Sequence, residues 1–345
     1  MNINIKGPIY FFGIPCLVIL MAISSTGCLI RPVQDKKNES DLFEIVCTTI
    51  DKWLHTINID STIVSANYLK EQIIDDWYEQ NKKFQIVDVR RPAHYDTAGH
   101  ISHAINIYWA EILNDTNIYK LDTNKTLILY CYYGHGSMII YTILGLMGYN
   151  CNSLNFGMME WNLNALVRDP WDQEASYLIE NKANIATISY EFPKISTSQK
   201  VIKQIIRELS KKYLEGEASP VISTSEVNTI ISDWNKNSFS YQIVDVRSSY
   251  DYNKGHVPHS VHVPWKYIVE KNNLIKLDPK KTIIIYSENG QIGQMVTTVL
   301  CLLGYQVVNM KFGMMDWNKT YVNTSDLWDG QAGYSVECDK VLNIK

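Results

Sequence analysis

The sequence predicts an α/β fold that occurs twice in tandem, each copy a mainly parallel β-sheet flanked by helices on both faces. Apolar, β-branched stretches such as Thr126–Tyr130 alternate with stretches of helical periodicity, and this order is typical of parallel sheets that are covered on both sides. The second half of the chain also repeats the motifs of the first half in the same order, at an offset of roughly 156 to 158 residues. The chain is therefore expected to contain two copies of one domain.

The duplication is clearest in a few short motifs. Asp-Val-Arg follows a predicted strand at Asp88–Arg90 and again at Asp245–Arg247. Each half then continues with Gly-His, with an apolar strand that ends in tyrosine, and with Phe-Gly-Met-Met. Several motifs that recur in one order at one offset are a strong sign of an internal repeat.

Each copy is expected to begin with an amphipathic helix that packs on its own domain. The first helix would start near Asp41. The second would be capped by Ser196–Ser198 and would bury Ile205 together with the other apolar residues of the same face. These starts place domain 1 at residues 41–195 and domain 2 at residues 196–345.

The composition is that of a globular protein and argues against nucleic-acid binding. The 345 residues are 46% hydrophobic and 20% charged, which allows two domains with real cores. The formal net charge is −4 and no dense Lys/Arg cluster stands out, whereas a nucleic-acid-binding surface needs a basic patch.

The N-terminal segment is predicted to lie outside the fold. Lys6 precedes an apolar run at Ile9–Ile23 that is too short to span a membrane comfortably, and small residues then lead to Cys28. This order resembles a lipoprotein signal, which implies a signal peptide at residues 1–27, a lipidated Cys28 and a tether at residues 28–40. The expected location is the extracytoplasmic side of a membrane. A plain cleaved signal and an uncleaved anchor are the alternatives.

The cysteine pattern favours one reactive thiol. The folded part holds an odd number of cysteines and no Cys-x-x-Cys pair, which provides neither a disulfide framework nor a zinc motif. We therefore expect no metal and no cofactor, and one reactive thiol beside four mostly buried ones. The cysteines of the folded part are Cys47, Cys131, Cys151, Cys301 and Cys338.

Cys131 is the candidate nucleophile. It follows the predicted strand at Leu127–Tyr130 and opens a loop with two glycines before a predicted buried helix at Ser137–Met147. Loop amides and a helix N-terminus favour negative charge, so a thiol in this position would ionise readily and act as a nucleophile. Ligands of parallel sheets also bind beyond the carboxyl ends of the strands. A half-buried cysteine in a tight turn is the alternative, and the duplication of the whole pattern argues against it.

These motifs resemble the rhodanese (sulfurtransferase) family. They are Asp-Val-Arg after a strand, Gly-His-Ile, Tyr-Cys with a glycine-containing loop, and Gly-x-x-x-Trp. The resemblance covers residues 61–165 and 219–322 and implies two tandem rhodanese-like domains. Phe156 and Phe312 depart from it, because many members have a glycine at this position.

The resemblance implies that Cys131 accepts sulfur. Its thiolate would take the outer sulfur of a sulfane donor such as thiosulfate, become a persulfide, and pass the sulfur to cyanide, a thiol or a thiol protein. The loop amides would ring the sulfur and stabilise its charge, and the Ser137 hydroxyl would add a hydrogen bond and cap the helix. The expected substrate-binding residues are Tyr132, Tyr133, Gly134, His135, Gly136 and Ser137.

The loop carries no Arg or Lys that would hold an anionic donor such as thiosulfate. Its only candidate cation is His135, which would be partly charged near neutral pH; an exposed surface histidine is the alternative. Asp88 and Arg90 are expected to support the loop as an ion pair that orders its ends.

In domain 2 a serine replaces the nucleophile. Ser287 opens the equivalent loop, Glu288 is expected to place a negative charge beside it, and no general base is recognisable in the loop. A serine hydroxyl does not form a persulfide, so domain 2 is predicted to be inactive and to serve packing, substrate shaping or partner binding. The degenerate loop consists of Ser287, Glu288, Asn289, Gly290, Gln291, Ile292 and Gly293.

Two other functions fit the pattern less well. A non-catalytic binding module would use the fold to hold a partner protein or a sulfur carrier. A cysteine phosphatase or arsenate reductase would need an arginine that closes the loop, where Ser137 and Met138 stand. The rhodanese resemblance implies a small sulfur-containing substrate, and the charge pattern argues against nucleic acid as a ligand.

Overall fold

The computed structural model describes residues 39–172, 175–216 and 220–338. The predicted signal peptide, the lipidation of Cys28 and nearly all of the predicted tether lie outside the described residues. Glu39 and Ser40, the last two residues of that tether, already belong to the first helix. Within the described ranges, no helix combines the length and the apolar character that crossing a membrane requires.

Each repeat forms a five-stranded parallel sheet, which confirms the predicted fold class. The strands of the first repeat are β1 (Ile63–Val64), β2 (Phe84–Asp88), β3 (Ile105–Asn106), β4 (Thr126–Tyr130) and β5 (Cys151–Leu154). The strands of the second repeat are β6 (Val221–Ile222), β7 (Tyr241–Asp245), β8 (Val261–His262), β9 (Thr282–Tyr286) and β10 (Val307–Met310). The orders are β1-β5-β4-β2-β3 and β6-β10-β9-β7-β8, so β4 and β9 are the central strands.

Helices connect the strands. Those of the first repeat are α1 (Glu39–Thr56), α2 (Ile59–Thr62), α3 (Ala66–Tyr68), α4 (Trp77–Gln80), α5 (Pro92–Ala98), α6 (Asp115–Ile118), α7 (His135–Leu146) and α8 (Met158–Trp161). Those of the second repeat are α9 (Ile202–Leu214), α10 (Thr224–Ser232), α11 (Trp234–Asn237), α12 (Ser249–Lys254), α13 (Lys271–Leu274), α14 (Gln291–Leu302) and α15 (Gly313–Asn318). A π-helical turn and several 3₁₀ turns complete the fold: Leu69–Ile74, then Trp109–Glu111, Leu163–Ala165, Trp265–Tyr267, Lys319–Tyr321 and Thr324–Asp326.

The central strand β4 is apolar along its whole length because both of its faces are covered. Leu127 and Leu129 point into one core, and Ile128 and Tyr130 point into the other. All four residues are fully buried. Side chains alternate between the faces of a strand, so a doubly covered strand needs an apolar residue at nearly every position.

The helix that opens the second repeat begins later than the sequence indicates. Helix α9 starts at Ile202, and the residue before it provides no side-chain cap. The prediction that Ser196–Ser198 cap this helix is therefore wrong. The Thr197 hydroxyl instead donates to the Glu208 carboxylate (2.8 Å), which ties the preceding loop to the side of the helix.

One apolar core joins the two repeats. It contains Ile140 and Ile143 of α7 together with Val296 and Val299 of α14, all fully buried. Helices α7 and α14 pack against each other. The two helices that follow the equivalent loops of the repeats thus lie side by side.

The chain segment that follows each repeat packs on the other repeat. The indole N–H of Trp317 in the second repeat donates to the carbonyl of Leu178, which follows the first repeat (2.8 Å). The indole N–H of Trp161 in the first repeat donates to the carbonyl of Ser335, which follows the second repeat (3.1 Å). The repeats are therefore interleaved, and the boundary between domains 1 and 2 stays a prediction.

Candidate active site

Cys131 lies directly after the central strand β4 and before α7. It is 5% exposed and lines a cavity of about 970 Å³. Tyr132, Tyr133, His135 and Gly136 of the predicted substrate-binding loop line the same cavity. A sulfur atom at the wall of a concave cavity is shielded from bulk solvent and meets a small ligand there.

Hydrogen bonds to α8 orient the peptide groups of the loop. The backbone N–H groups of Met158 and Met159 donate to the carbonyls of Cys131 (2.9 Å) and Tyr132 (3.0 Å). In a trans peptide the N–H group points away from the C=O group of the same peptide unit, so the following loop amides point away from α8. None of the N–H groups of residues 132–137 donates a hydrogen bond to a group in the described ranges.

The second repeat shows where such amides point. Ser287 occupies the position of Cys131, and its hydroxyl oxygen accepts the N–H groups of Gly290 (3.2 Å) and Gly293 (3.0 Å). The carbonyl of Ser287 is held by the N–H group of a methionine, as that of Cys131 is. The group equivalent to the Gly290 N–H is that of Gly134 in the first repeat. This strand–loop–helix turn thus directs amide hydrogens toward the first side chain of the loop.

Two residues with positive φ shape the turn into α8. A Cβ atom at Gly157 (φ 54°) would lie 2.4 Å from the carbonyl oxygen of Cys131, so the loop and α8 approach this closely only at glycine. Phe156 has φ 47°, a left-handed conformation that costs an L-residue about 1–2 kcal/mol. A glycine at this position would avoid the cost. The burial of the Phe156 ring in the core offsets the cost of its backbone conformation.

Ser137 does not cap α7, contrary to the prediction. The helix begins at His135, and its N-cap residue is Gly134, which offers no side chain. The Ser137 hydroxyl donates to the carbonyl of Gly134 (2.9 Å) and forms a second hydrogen bond with the Ser153 hydroxyl on β5 (2.8 Å). Ser137 therefore fixes the loop to the neighbouring strand.

His135 is neither exposed nor charged, so the expectations of a surface histidine and of a partial charge near neutral pH are wrong. Its substrate-binding role stays a prediction, and it lines the same cavity as Cys131. It is 6% exposed, and burial lowers its pKa to about 4, which leaves the imidazole neutral at pH 7. Its Nε2–H donates to the carbonyl of Asn289 in the degenerate loop (3.3 Å). The Gln291 side chain of that loop in turn donates to Asn155 of the first repeat (2.6 Å). The two loops therefore face each other.

Asp88 and Arg90 form a fully buried ion pair. Arg90 Nη2 lies 2.7 Å from Asp88 Oδ2, and neither side chain is exposed. Arg90 also donates to the carbonyl of Gly99 (2.7 Å). Asp245 and Arg247 repeat this arrangement in the second repeat. Because the pair recurs in a repeat without the cysteine, it serves the framework of the fold rather than the chemistry of the thiol.

Three other cysteines are poorly suited to act as thiolates. Burial raises the pKa of Cys47 and of Cys301 to about 12, and it also raises the pKa of Cys151, because a buried site disfavours the charged form. Cys338 is exposed, so the expectation of four mostly buried cysteines does not hold for it. All five described cysteines are free thiols.

The cavity contains three cations that the sequence analysis did not anticipate. Arg91, Arg168 and Lys311 line it. The guanidinium carbon of Arg168 lies 4.4 Å from the ring centre of Tyr132, and Lys311 Nζ lies 4.7 Å from that of Tyr133. Arg91 has a local signal, since it follows the Asp-Val-Arg motif. Lys311 belongs to the second repeat, and only tertiary packing brings it to this loop.

The degenerate loop does not carry the charge that its sequence indicates. Burial raises the pKa of Glu288 to about 8, so this carboxyl group is mainly protonated at pH 7. The nearest cation is Arg247, whose Nη1 lies 3.8 Å from Oε2 of Glu288. No group of three or more side chains suited to hold a metal ion occurs in the part of the chain that the structure describes.

The fold and the site define a class of α/β proteins in which a cysteine at the carboxyl end of a central parallel strand meets the amides of a short loop. The family model "Rhodanese-like domain" matches residues 65–164 and 226–320, which is more than half of the chain. The chain belongs to this family and carries two tandem copies of its domain, which confirms the resemblance seen in the motifs.

Curated relatives match parts of the chain. A probable molybdopterin-synthase adenylyltransferase of Porphyra purpurea is 27% identical over 142 residues, which are 41% of this chain and 37% of the relative. A putative sulfur carrier protein of Bacillus subtilis (strain 168) is 32% identical over 79 residues, which are 23% of this chain and 42% of the relative. The chain thus spans less than half the length of either relative.

Two solved structures align with parts of this chain. A thiosulfate sulfurtransferase of Pseudomonas aeruginosa aligns over 86% of this chain and 50% of its own, with 14% identity and a TM-score of 0.28. A rhodanese-like domain protein of Staphylococcus aureus aligns over 34% of this chain and 97% of its own, with 24% identity and a TM-score of 0.25.

Proposed function

We propose that this protein is a sulfurtransferase that carries a sulfane sulfur as a persulfide on Cys131. The observation that carries the proposal is the contrast between the loops. Amide hydrogens converge on the Ser287 hydroxyl in the second repeat, and in the first repeat the same position holds a thiol that faces a cavity. Converging amides stabilise a thiolate and a persulfide anion. Membership of the rhodanese-like family favours sulfur-transfer chemistry in general.

The reaction consists of two sulfur-transfer steps. The Cys131 thiolate attacks the outer sulfur of a donor such as thiosulfate, the donor S–S bond breaks, and its electron pair leaves with sulfite. A thiolate or cyanide then attacks the terminal sulfur of the persulfide, and the electron pair of that S–S bond returns to Cys131. A covalent intermediate between two half-reactions gives ping-pong kinetics. The similarity to a putative sulfur carrier protein supports a thiol protein as one acceptor.

Intact-mass measurement of the purified full chain after incubation with thiosulfate tests this function. We expect one added sulfur atom on the wild-type protein and none on Cys131→Ser. An adduct that survives Cys131→Ser would reject the assignment. Failure of every sulfane donor to load Cys131 would instead favour a non-catalytic binding module. The matched controls, which are expected to keep the adduct, are Cys47→Ser, Cys151→Ser, Cys301→Ser and Cys338→Ser.

We further propose that the protein is exported and held at the extracytoplasmic side of a membrane by a lipid on Cys28. The basic residue, apolar run and small residues before Cys28 support this. Mass spectrometry of the native N-terminus is expected to show a chain that starts at a lipidated Cys28, and Cys28→Ser is expected to abolish the lipid. An unmodified mature N-terminus at any other residue would contradict the proposal.

A further inference from the structure

In each repeat, the residue that follows the loop glycine packs on the glycine of the opposite loop. The carboxamide of Gln291 fills the space beside Gly134, where an added Cβ atom would lie 2.4 Å from its Oε1 atom. In the other direction, an added Cβ atom at Gly290 would lie 2.7 Å from Nε2 of His135. Both glycines have positive φ, 87° and 84°, so a residue with a Cβ atom is strained at either position. The two loops therefore interlock through one side chain each.

The side chain of Gln291 is held in place by the first repeat. It is fully buried, and its Nε2 amide group donates to Oδ1 of Asn155 (2.6 Å). The backbone N–H of Asn155 donates to the carbonyl of Val64 on β1 (2.8 Å), so the acceptor is itself fixed to the sheet. The carboxamide therefore cannot turn away from Gly134 without breaking a buried hydrogen bond.

The oxygen of the Gln291 carboxamide has a cost that packing does not require. This Oε1 atom is buried and accepts no hydrogen bond from a residue in the described ranges, and burial of an unpaired acceptor is unfavourable. A methionine would fill a similar space without this cost. Packing alone therefore does not account for a glutamine here, whereas a side chain that must be held in one orientation needs the hydrogen bond to Asn155.

The peptide group of Gly134 is the part of the cysteine loop that this contact restrains. In the second repeat the equivalent N–H group, that of Gly290, donates to the Ser287 hydroxyl (3.2 Å). By the same geometry, the Gly134 N–H faces the thiol of Cys131. A glycine has more backbone freedom than any other residue, and rotation at Gly134 would turn this N–H away from the sulfur. The buried carboxamide closes the space into which the glycine would move.

We propose that Gln291 is a positioning residue for the thiol of Cys131, because it holds Gly134 so that the amide of this glycine faces the sulfur. The inference rests on the proposed function and deepens it, since a repeat that has no thiol then takes part in the reaction of the other. A fixed amide stabilises the negative charge of the thiolate and, after sulfur transfer, of the persulfide. It needs no reorganisation when this charge develops.

The pH profile of Cys131 alkylation by iodoacetamide tests this role without sulfur transfer. The full chain is labelled at several pH values, and peptide mass spectrometry follows Cys131. The midpoint of the profile reports how readily the thiolate forms, whereas the rate at high pH reports access to the sulfur. Gln291→Ala is expected to move the midpoint to higher pH by about half a pH unit or more, because one amide no longer faces the sulfur. The charged side chains that line the cavity with Cys131 are the same in each variant: Arg91, Arg168, Glu215, Glu226 and Lys311.

Three further variants separate positioning from a general loss of stability. Gln291→His introduces the residue that the first repeat has at this position and is expected to keep most of the wild-type profile. Asn155→Ala is expected to shift the midpoint in the same direction as Gln291→Ala. The double variant is expected to shift it no further than Gln291→Ala alone, because both changes act through one contact. Val299→Ala removes buried apolar atoms of α14 away from the loop and is expected to lower stability in urea but to keep the wild-type profile.

A wild-type midpoint in Gln291→Ala would overturn the inference, and so would an equal shift in Val299→Ala. Loading of sulfur from thiosulfate distinguishes the inference from the proposed function. Because Gln291 does not line the cavity that contains Cys131, Gln291→Ala is expected to lower the maximal loading rate about fivefold or more and to change the half-saturating concentration less than about twofold. A shifted midpoint in a protein that never gains sulfur would support the positioning role and reject the proposed function alone.

Discussion

Gly157→Ala is expected to distort the loop that begins at Cys131. Gly157 has φ 54° and ψ −132°, a conformation that L-residues rarely adopt. An added Cβ would lie 2.4 Å from the carbonyl oxygen of Cys131, whereas a close C···O contact is about 3.3 Å. The same carbonyl accepts a hydrogen bond from Met158 (2.9 Å). The substitution therefore strains the backbone and pushes the loop away from α8.

The expected loss of stability comes from two effects. A strained backbone conformation costs about 1–3 kcal/mol, and forced overpacking costs about 1–3 kcal/mol more, so the free energy of unfolding is expected to fall by about 2–6 kcal/mol. Gly148→Ala is the matched control. Gly148 has φ 88°, and a Cβ there would meet no atom within 4 Å, so only a backbone cost of about 1–2 kcal/mol is expected.

Urea unfolding measures the stability of both variants, and sulfur loading of Cys131 reports on the loop. We expect Gly157→Ala to be less stable than Gly148→Ala and to load sulfur more slowly under conditions in which both are folded. If the two variants lost equal stability and loaded sulfur at the wild-type rate, the close contact between Gly157 and Cys131 would not be what holds the loop.

Two further predictions concern buried charged groups. Arg90→Met leaves the Asp88 carboxylate buried without its partner and is expected to lower the free energy of unfolding by about 3–5 kcal/mol. Arg91→Met, at the exposed neighbouring position, is the control and is expected to change the free energy of unfolding by less than about 0.5 kcal/mol. Equal losses of stability in urea unfolding would contradict this prediction. Burial raises the pKa of Glu288 from 4.5 to about 8, so between these pH values the folded state keeps a proton that the unfolded state loses. The free energy of unfolding therefore declines as pH rises through this window. Glu288→Gln is expected to show a smaller decline when urea unfolding is repeated at several pH values, and a pH profile identical to that of the wild type would disprove the role of Glu288.

The candidate nucleophile could be predicted from the sequence because its surroundings are local. Hydrophobic periodicity defines the strand before Cys131 and the helix after it. A strand that turns directly into a helix places the intervening loop at the carboxyl edge of a parallel sheet. The duplication also provides an internal comparison, since Ser287 marks the same position in a repeat without a thiol.

The chemical state of the loop could not be predicted in the same way. Burial lowers the pKa of His135, and Phe312 and Asn289, which contact this side chain, belong to the other repeat. Helix α9 begins at Ile202, after the serine and threonine cluster, and the Thr197 hydroxyl donates to Glu208 instead of capping the helix. In both cases the folded chain makes a contact that no local pattern encodes.

By itself, the sequence determined that this chain contains two tandem α/β domains and that the first of them carries the thiol, because periodicity and residue identity are properties of short stretches of chain. Only the tertiary structure decided which side chains surround that thiol. Lys311 approaches Tyr133 from the other repeat, Arg168 stacks on Tyr132, and His135 is neutral. Burial and electrostatic interactions depend on groups that are close in space and distant in sequence, so they arise only when the two repeats pack together.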